Sequence, residues 1–289
     1  MGSAYYWSLS FHIGALKTST SKDTGGNKNQ CGFYRTMLAA SEKTATDKMI
    51  IDTTFDFYTD ANGGDPDSTS PTLRSYHQLL WSKPLPNGQI FDLLKQSGTY
   101  LYHNSELGEF NLGSDAITNS YKNQKRKRWL IEQVVNEVDE LFKIGSTIGA
   151  YTLFPKNKID NKFTINQARG VNSLIDDRFD LTLECIRLFY EGQDSPLYDT
   201  FLRYRKFFDL FENFKGYIDF FLLNDLVDEN LKIIFYLPFD NFKSRPTFSG
   251  IEDYLTYKTG VVNFVKSRNK RIENYINKIK PAANKVYSQ

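Results

Sequence analysis

The 289-residue sequence predicts a single, mostly helical α+β domain with a small sheet and a central aromatic-rich helical hairpin. Three observations carry that prediction. Residues 196–221 place ten aromatics three or four positions apart, among them Phe201, Tyr204, Phe208 and Phe211, which puts one apolar stripe along a helix. Just upstream, Ile175, Phe179, Leu183, Ile186 and Phe189 form a second helical stripe, with Gly192 as its stop and Ser195-Pro196 as the next start. The alternating or apolar runs suited to strands are few and short.

Composition bounds the class. Hydrophobic residues make up 40% and charged residues 24%, an ordinary globular balance. With Lys+Arg 36 against Asp+Glu 34, the net charge of +2 does not imply nucleic-acid or membrane binding by bulk charge, so any such contact needs a local patch. No run is long and apolar enough to span a bilayer. The start lacks a positive n-region and carries His12 in its apolar stretch, which argues against a signal peptide. Only Cys31 and Cys185 are present, a count that suits a reducing cytoplasm.

In chain order, residues 1–48 read as an appendage, because residues 17–48 are rich in Ser, Thr, Gly and Lys with little periodicity. The alternative is that Tyr5–Leu16 adds an edge strand. The domain is expected from Met49 to residue 280, with a tail over 281–289. Residues 50–58 alternate loosely and predict a strand. Asp60, Asp65 and Asp67 follow in a loop without calcium-loop spacing, so they read as turn residues. Ser70-Pro71 opens a helix whose inner face holds Leu73, Tyr76, His77 and Leu80. Residues 100–103 and 108–112 make a hairpin. The basic run KNQKRKRW at 122–129 opposes a helix dipole and reads as a loop before an amphipathic helix bearing Leu130, Val134, Val138 and Leu141. Residues 145–154 predict a buried strand and residues 231–237 a strand ended by Pro238, and a last helix runs from Ile251 to about Ile279, stopped by Pro281.

Two clusters could carry chemistry. Asp177, Asp180 and Glu184 fall at i, i+3 and i+7 of the expected helix 174–190. Either arginines such as Arg178 and Arg187 neutralise them, or they hold Mg²⁺, since carboxylates suit hard divalent cations. The segment INQARGVN crowds Asn166, Arg169 and Asn172 around a glycine, with Lys156 in the preceding turn. Arg169 offers a planar fork for a phosphate or, equally, a brace for a neighbouring carboxylate. His77 and His103 lack metal-ligand or base–nucleophile spacing, and no Walker, dinucleotide, nucleophile-elbow or zinc pattern occurs.

The segments FDFYTDANGGDPDSTSPTLRSYHQLLWSKPLPNG and INQARGVNSLIDDRFDLTLECIRLFY resemble a bacterial family known as a domain of unknown function. The resemblance covers about Met49 to Arg271 and implies no activity. Two function classes therefore stand: a site that binds or processes a phosphate-bearing ligand, a nucleotide or RNA or DNA, and a protein-interaction module in which the polar cluster is a brace. A toxin or phage-defence setting is an expectation from analogy alone.

Overall fold

The computed structural model describes residues 51–93, 95–98 and 100–285. The expected appendage over residues 1–48 and the alternative strand within it lie outside the described residues. From Ile51 onward the chain is one compact α+β unit.

A turn and a one-turn 3-10 helix (Phe57–Thr59) open it, where the alternation of residues 50–58 had suggested a strand. The reason is local: Asp52 and Asp56 accept from the backbone N–H groups of Thr54 and Tyr58 two residues on, which curls the chain. Asp65 caps the short helix α1 (Pro66–Thr69), and Ser70 caps α2 (Pro71–Trp81) by accepting from Leu73 N–H. As the periodicity predicts, Leu73, Tyr76, His77 and Leu80 are buried.

The sheet is a four-stranded antiparallel meander: β1 (Lys95–Ser97), β2 (Tyr100–Ser105), β3 (Gly108–Ala116) and β4 (Tyr151–Pro155). Between β3 and β4, the basic run forms a 3-10 turn (Lys125–Lys127) leading into α3 (Arg128–Ile131), and α4 (Val135–Ile144) follows. The four apolar residues expected on one helix are buried, with Leu130 on α3, Val138 and Leu141 on α4, and Val134 at the cap between them. The buried strand expected at 145–154 is half helical turn, with Ile148–Ala150 in a 3-10 turn before β4.

Next come α5 (Ile165–Val171), closed at its start by a Thr164/Gln167 capping box, and α6 (Phe179–Tyr190). Gly192, at φ 69°, ends α6 with bonds from Gly192 N–H to Phe189 and from Gln193 N–H to Leu188, a Schellman closure. The aromatic segment is then three short helices, α7 (Tyr198–Arg203), α8 (Arg205–Asp209) and α9 (Phe214–Phe220), not one. Residues 231–237 hold only an isolated bridge between Val227 and Ile233, because Leu231 adopts φ 59° at the tip of a turn. The last helix, α10 (Ile251–Lys285), continues beyond Pro281.

Helix α10 packs against α4 and the turn before β4. Gly149 permits this approach, since a Cβ there would come within 2.8 Å of Val265 O and 2.5 Å of Asn269 Oδ1. No helix among the described residues is long and apolar enough to cross a membrane.

Candidate functional site

The cluster of polar groups sits where β3 ends. Asp115 lies on β3 opposite Thr152 of β4 and is completely buried. Lys156 crosses Gly113 to reach it, with Nζ 2.7 Å from Asp115 Oδ1. A Cβ at Gly113 would collide with that lysine chain, so the glycine opens its path. Burial pushes the Asp115 pKa up to about 7, against the pull of Lys156. Asp115 Oδ2, Thr152 Oγ1 and Arg169 Nε are buried polar atoms without a hydrogen-bond partner among the described residues.

On the other side of the strand runs a directional chain of hydrogen bonds. Trp81 Nε1–H can only donate, so His77 Nδ1 accepts it at 2.9 Å. His77 Nε2 then carries the proton and faces Ser114 Oγ at 3.0 Å, and Ser114 in turn donates to Asp67 Oδ1 at 3.3 Å. Asp67 Oδ2 accepts from Ala116 N–H at 3.1 Å. Burial, then the neighbouring Asp65, push the Asp67 pKa up to about 6, while burial lowers that of His77 to about 3 and keeps the imidazole neutral. His103 packs between Phe91 and Phe110 and is held in the core.

Arg169 is fully buried. Its Nη1 donates to Ala116 O at 2.7 Å and Asn166 Oδ1 at 3.3 Å, and its Nη2 donates to Asp177 O and pairs with Asp177 Oδ1 at 3.2 Å. The fork is a brace that grips the peptide next to Asp67 and the turn before α6. That turn also overturns the shared acidic face. Asp176 and Asp177 both take left-handed backbone, at φ 49° and 59°, so α6 begins only at Phe179. Asp176 binds Lys127 at 2.5 Å and Arg126. Asp180 is chelated by Arg178 and accepts from Tyr236 N–H at 3.0 Å, while Glu184 pairs with Arg187 at 2.7 Å. Asp177, Asp180 and Glu184 thus each face a different cation, and among the described residues no group of three metal-ligating side chains converges for Mg²⁺. Asn172 turns away from the cluster to donate to Pro196 O at 3.1 Å.

What opens to solvent is a cavity of about 350 Å³ whose wall includes Asp67, Ala116, Asn119, Tyr151 and Asp177. Asn119 donates to Asp177 Oδ2 at 2.8 Å and aims that carboxylate. Tyr58 and Phe142 stand together on one side, ring centroids 4.9 Å apart. Lys122, first of the basic run, is also on the wall, over the Phe142 ring at 5.0 Å. Of the expected site residues, the structure brings together Lys156, Arg169 and Asn166 around Asp115 and Ala116, with Asp177 on the cavity wall. It adds Asp67, Asp115, Asn119 and Lys122. Asp67 reads in the sequence as a turn residue, and the available signal for Asp115 is an acidic residue inside a strand, where Asp is depleted.

No curated protein and no solved structure matches the chain. A family model does, over residues 51–272, and it spans the sheet, the polar cluster and most of α10. The chain belongs to that family, described as a family of unknown function (DUF6994).

Proposed function

We propose that this cavity binds a nucleotide or the end of a nucleic acid, with a base inside and phosphate at the basic rim. The observation that carries the reading is the pairing of an acceptor-rich wall, Asp67 and Asp177, with a mouth at Lys122, the first cation of the basic run. Carboxylates accept from the N–H groups of a base, and exposed Tyr58, whose ring packs on half-buried Phe142, offers a face for stacking. Lys122 and Arg128 are engaged in solvent-exposed ion pairs with Asp139 and Glu132, and such pairs are worth only ~0–1 kcal/mol, so a phosphate competes for them. Arg169, buried behind the wall, positions Asp177 rather than touching phosphate. A bacterial, cytoplasmic setting in toxin or phage-defence systems belongs to the same proposal and rests on analogy.

The second reading is a non-catalytic interaction module. It is favoured by the internal pairing of Arg169, Asp180 and Glu184, and by exposed Phe163 and Val171 beside the groove at Asn172. Calorimetric titration with the four nucleoside monophosphates, a short single-stranded RNA and inorganic phosphate separates the two. Expected is saturable nucleotide or RNA binding that Lys122→Ala weakens about 5-fold, with a salt slope smaller by about 1 for the RNA, and an altered base preference in Asp67→Asn. No binding, or binding that both substitutions leave unchanged, overturns the proposal in favour of the interaction module.

A further inference from the structure

A second cavity holds an amine in an unusual setting. Lys83 follows α2 and places Nζ against three aromatic rings: Phe220 at 4.6 Å, Tyr275 at 4.7 Å and Trp81 at 4.9 Å. One N–H donates to Phe220 O at 2.6 Å. The cavity it borders measures about 510 Å³ and is walled by Pro84, Pro86, Lys215 and Asp219 among others. Four ionisable groups are involved there. Arg268, buried and without a carboxylate hydrogen-bond partner among the described residues, acts on Lys83 from α10, and Asp219 acts on it from α9. Tyr275 supplies a ring, and Lys215 stands at the mouth, two-thirds exposed and paired with Asp219.

We propose that Lys83 Nζ is a carbonyl-condensing amine, which forms a Schiff base with a small aldehyde or keto acid, with Lys215 holding the ligand's anionic group. Burial, with Arg268 adding to it, lowers the Lys83 pKa to about 7, while Asp219 pulls the other way, so a neutral amine is available near neutral pH. The nitrogen lone pair attacks the carbonyl carbon, and the former C=O electron pair takes a proton to give a carbinolamine. The nitrogen releases a proton, the hydroxyl takes one up, the C–O bond breaks, and water leaves as the protonated imine forms. Asp219, on the wall of the same cavity, supplies a carboxylate that can exchange these protons. The three ring faces favour a cation at Nζ. They oppose loss of the lysine's own proton, but they equally stabilise the cationic iminium once it forms.

The test is reductive trapping on the full chain. The protein is incubated with glyoxylate and sodium cyanoborohydride at pH 7, and adducts are mapped by peptide mass spectrometry. Expected is Lys83 as the first and dominant site, at least tenfold faster than any other lysine, with propanal reacting more slowly than glyoxylate. Asp219→Asn should slow the adduct about tenfold, and Lys83→Arg, which keeps the cation over the rings, should fold and lose it. Adducts scattered over exposed lysines, with Lys83 among the slow ones, overturn the proposal. The wild-type map alone decides this, whether or not a variant folds. Equal rates for propanal and glyoxylate overturn the role of Lys215.

Discussion

At Asp115 the cost of burial outweighs the lysine beside it. The folded protein keeps that proton up to about pH 7, whereas an unfolded chain releases it near 3.8. Between those values the unfolded state binds fewer protons than the folded state, so stability falls as pH rises from about 4 to 7. Asp67, raised to about 6, acts in the same direction. Asp115→Asn removes one source of the slope. In urea melts at pH 4.5 and 7.5, the wild type should lose ~2 kcal/mol more than the variant across that interval. Equal losses would show that Asp115 is ionised throughout. The residue types at this cluster were legible in the sequence, since Arg169, Asn166 and Lys156 stood out by type and spacing. Their direction was not. A guanidinium that could fork a phosphate instead spends its donors on Ala116 O, Asp177 and Asn166, and only the position of β3 decides that.

At the scale of elements, helix–helix packing of aromatics dominates. Phe208 is fully buried and touches the rings of Phe189, Tyr190, Phe201, Phe207 and Tyr217. Phe208→Ala should cost about 3–5 kcal/mol in denaturant unfolding, and a loss below about 1 kcal/mol would mean the site collapses around the gap. The spacing of three or four read correctly as a buried face, but it is carried on α7, α8 and α9. Turns near Tyr204 and Glu212 redirect the chain, with Glu212 at φ 63°. Rings at helical spacing therefore converge from three directions on α6 and α2. The run LKIIFYL failed as a strand for a related reason: Asp228 gathers the N–H groups of Asn230 and Lys232, which closes a turn in place of a sheet ladder.

At the scale of the molecule, Arg268 joins elements far apart in sequence. Its guanidinium donates to Gly149 O, Tyr151 O and Phe221 O at 2.8–3.2 Å, tying α10 to β4 and to the end of α9. These contacts, and the family match from residue 51, lie within the unit that begins at Ile51. A chain starting at Met49 should therefore fold with a melting temperature within a few degrees of the full chain. Loss of the cooperative transition in differential scanning calorimetry would show that residues 1–48 complete the core.

By itself, the sequence determined the class, the Gly192 stop of α6, the β2–β3 hairpin and the burial of α2's inner face. All of these depend on period, caps and turns within about ten residues, where local sterics and hydrogen bonding decide. Tertiary structure decided which carboxylates face water. Asp180 and Glu184 took the partners near in sequence, Arg178 and Arg187, that one of the two sequence readings offered, while the fold set Asp67 and Asp177, 110 residues apart, on one cavity wall. The energy of a buried charge depends on the dielectric and the partners that packing brings to it, and neither can be read from neighbours along the chain.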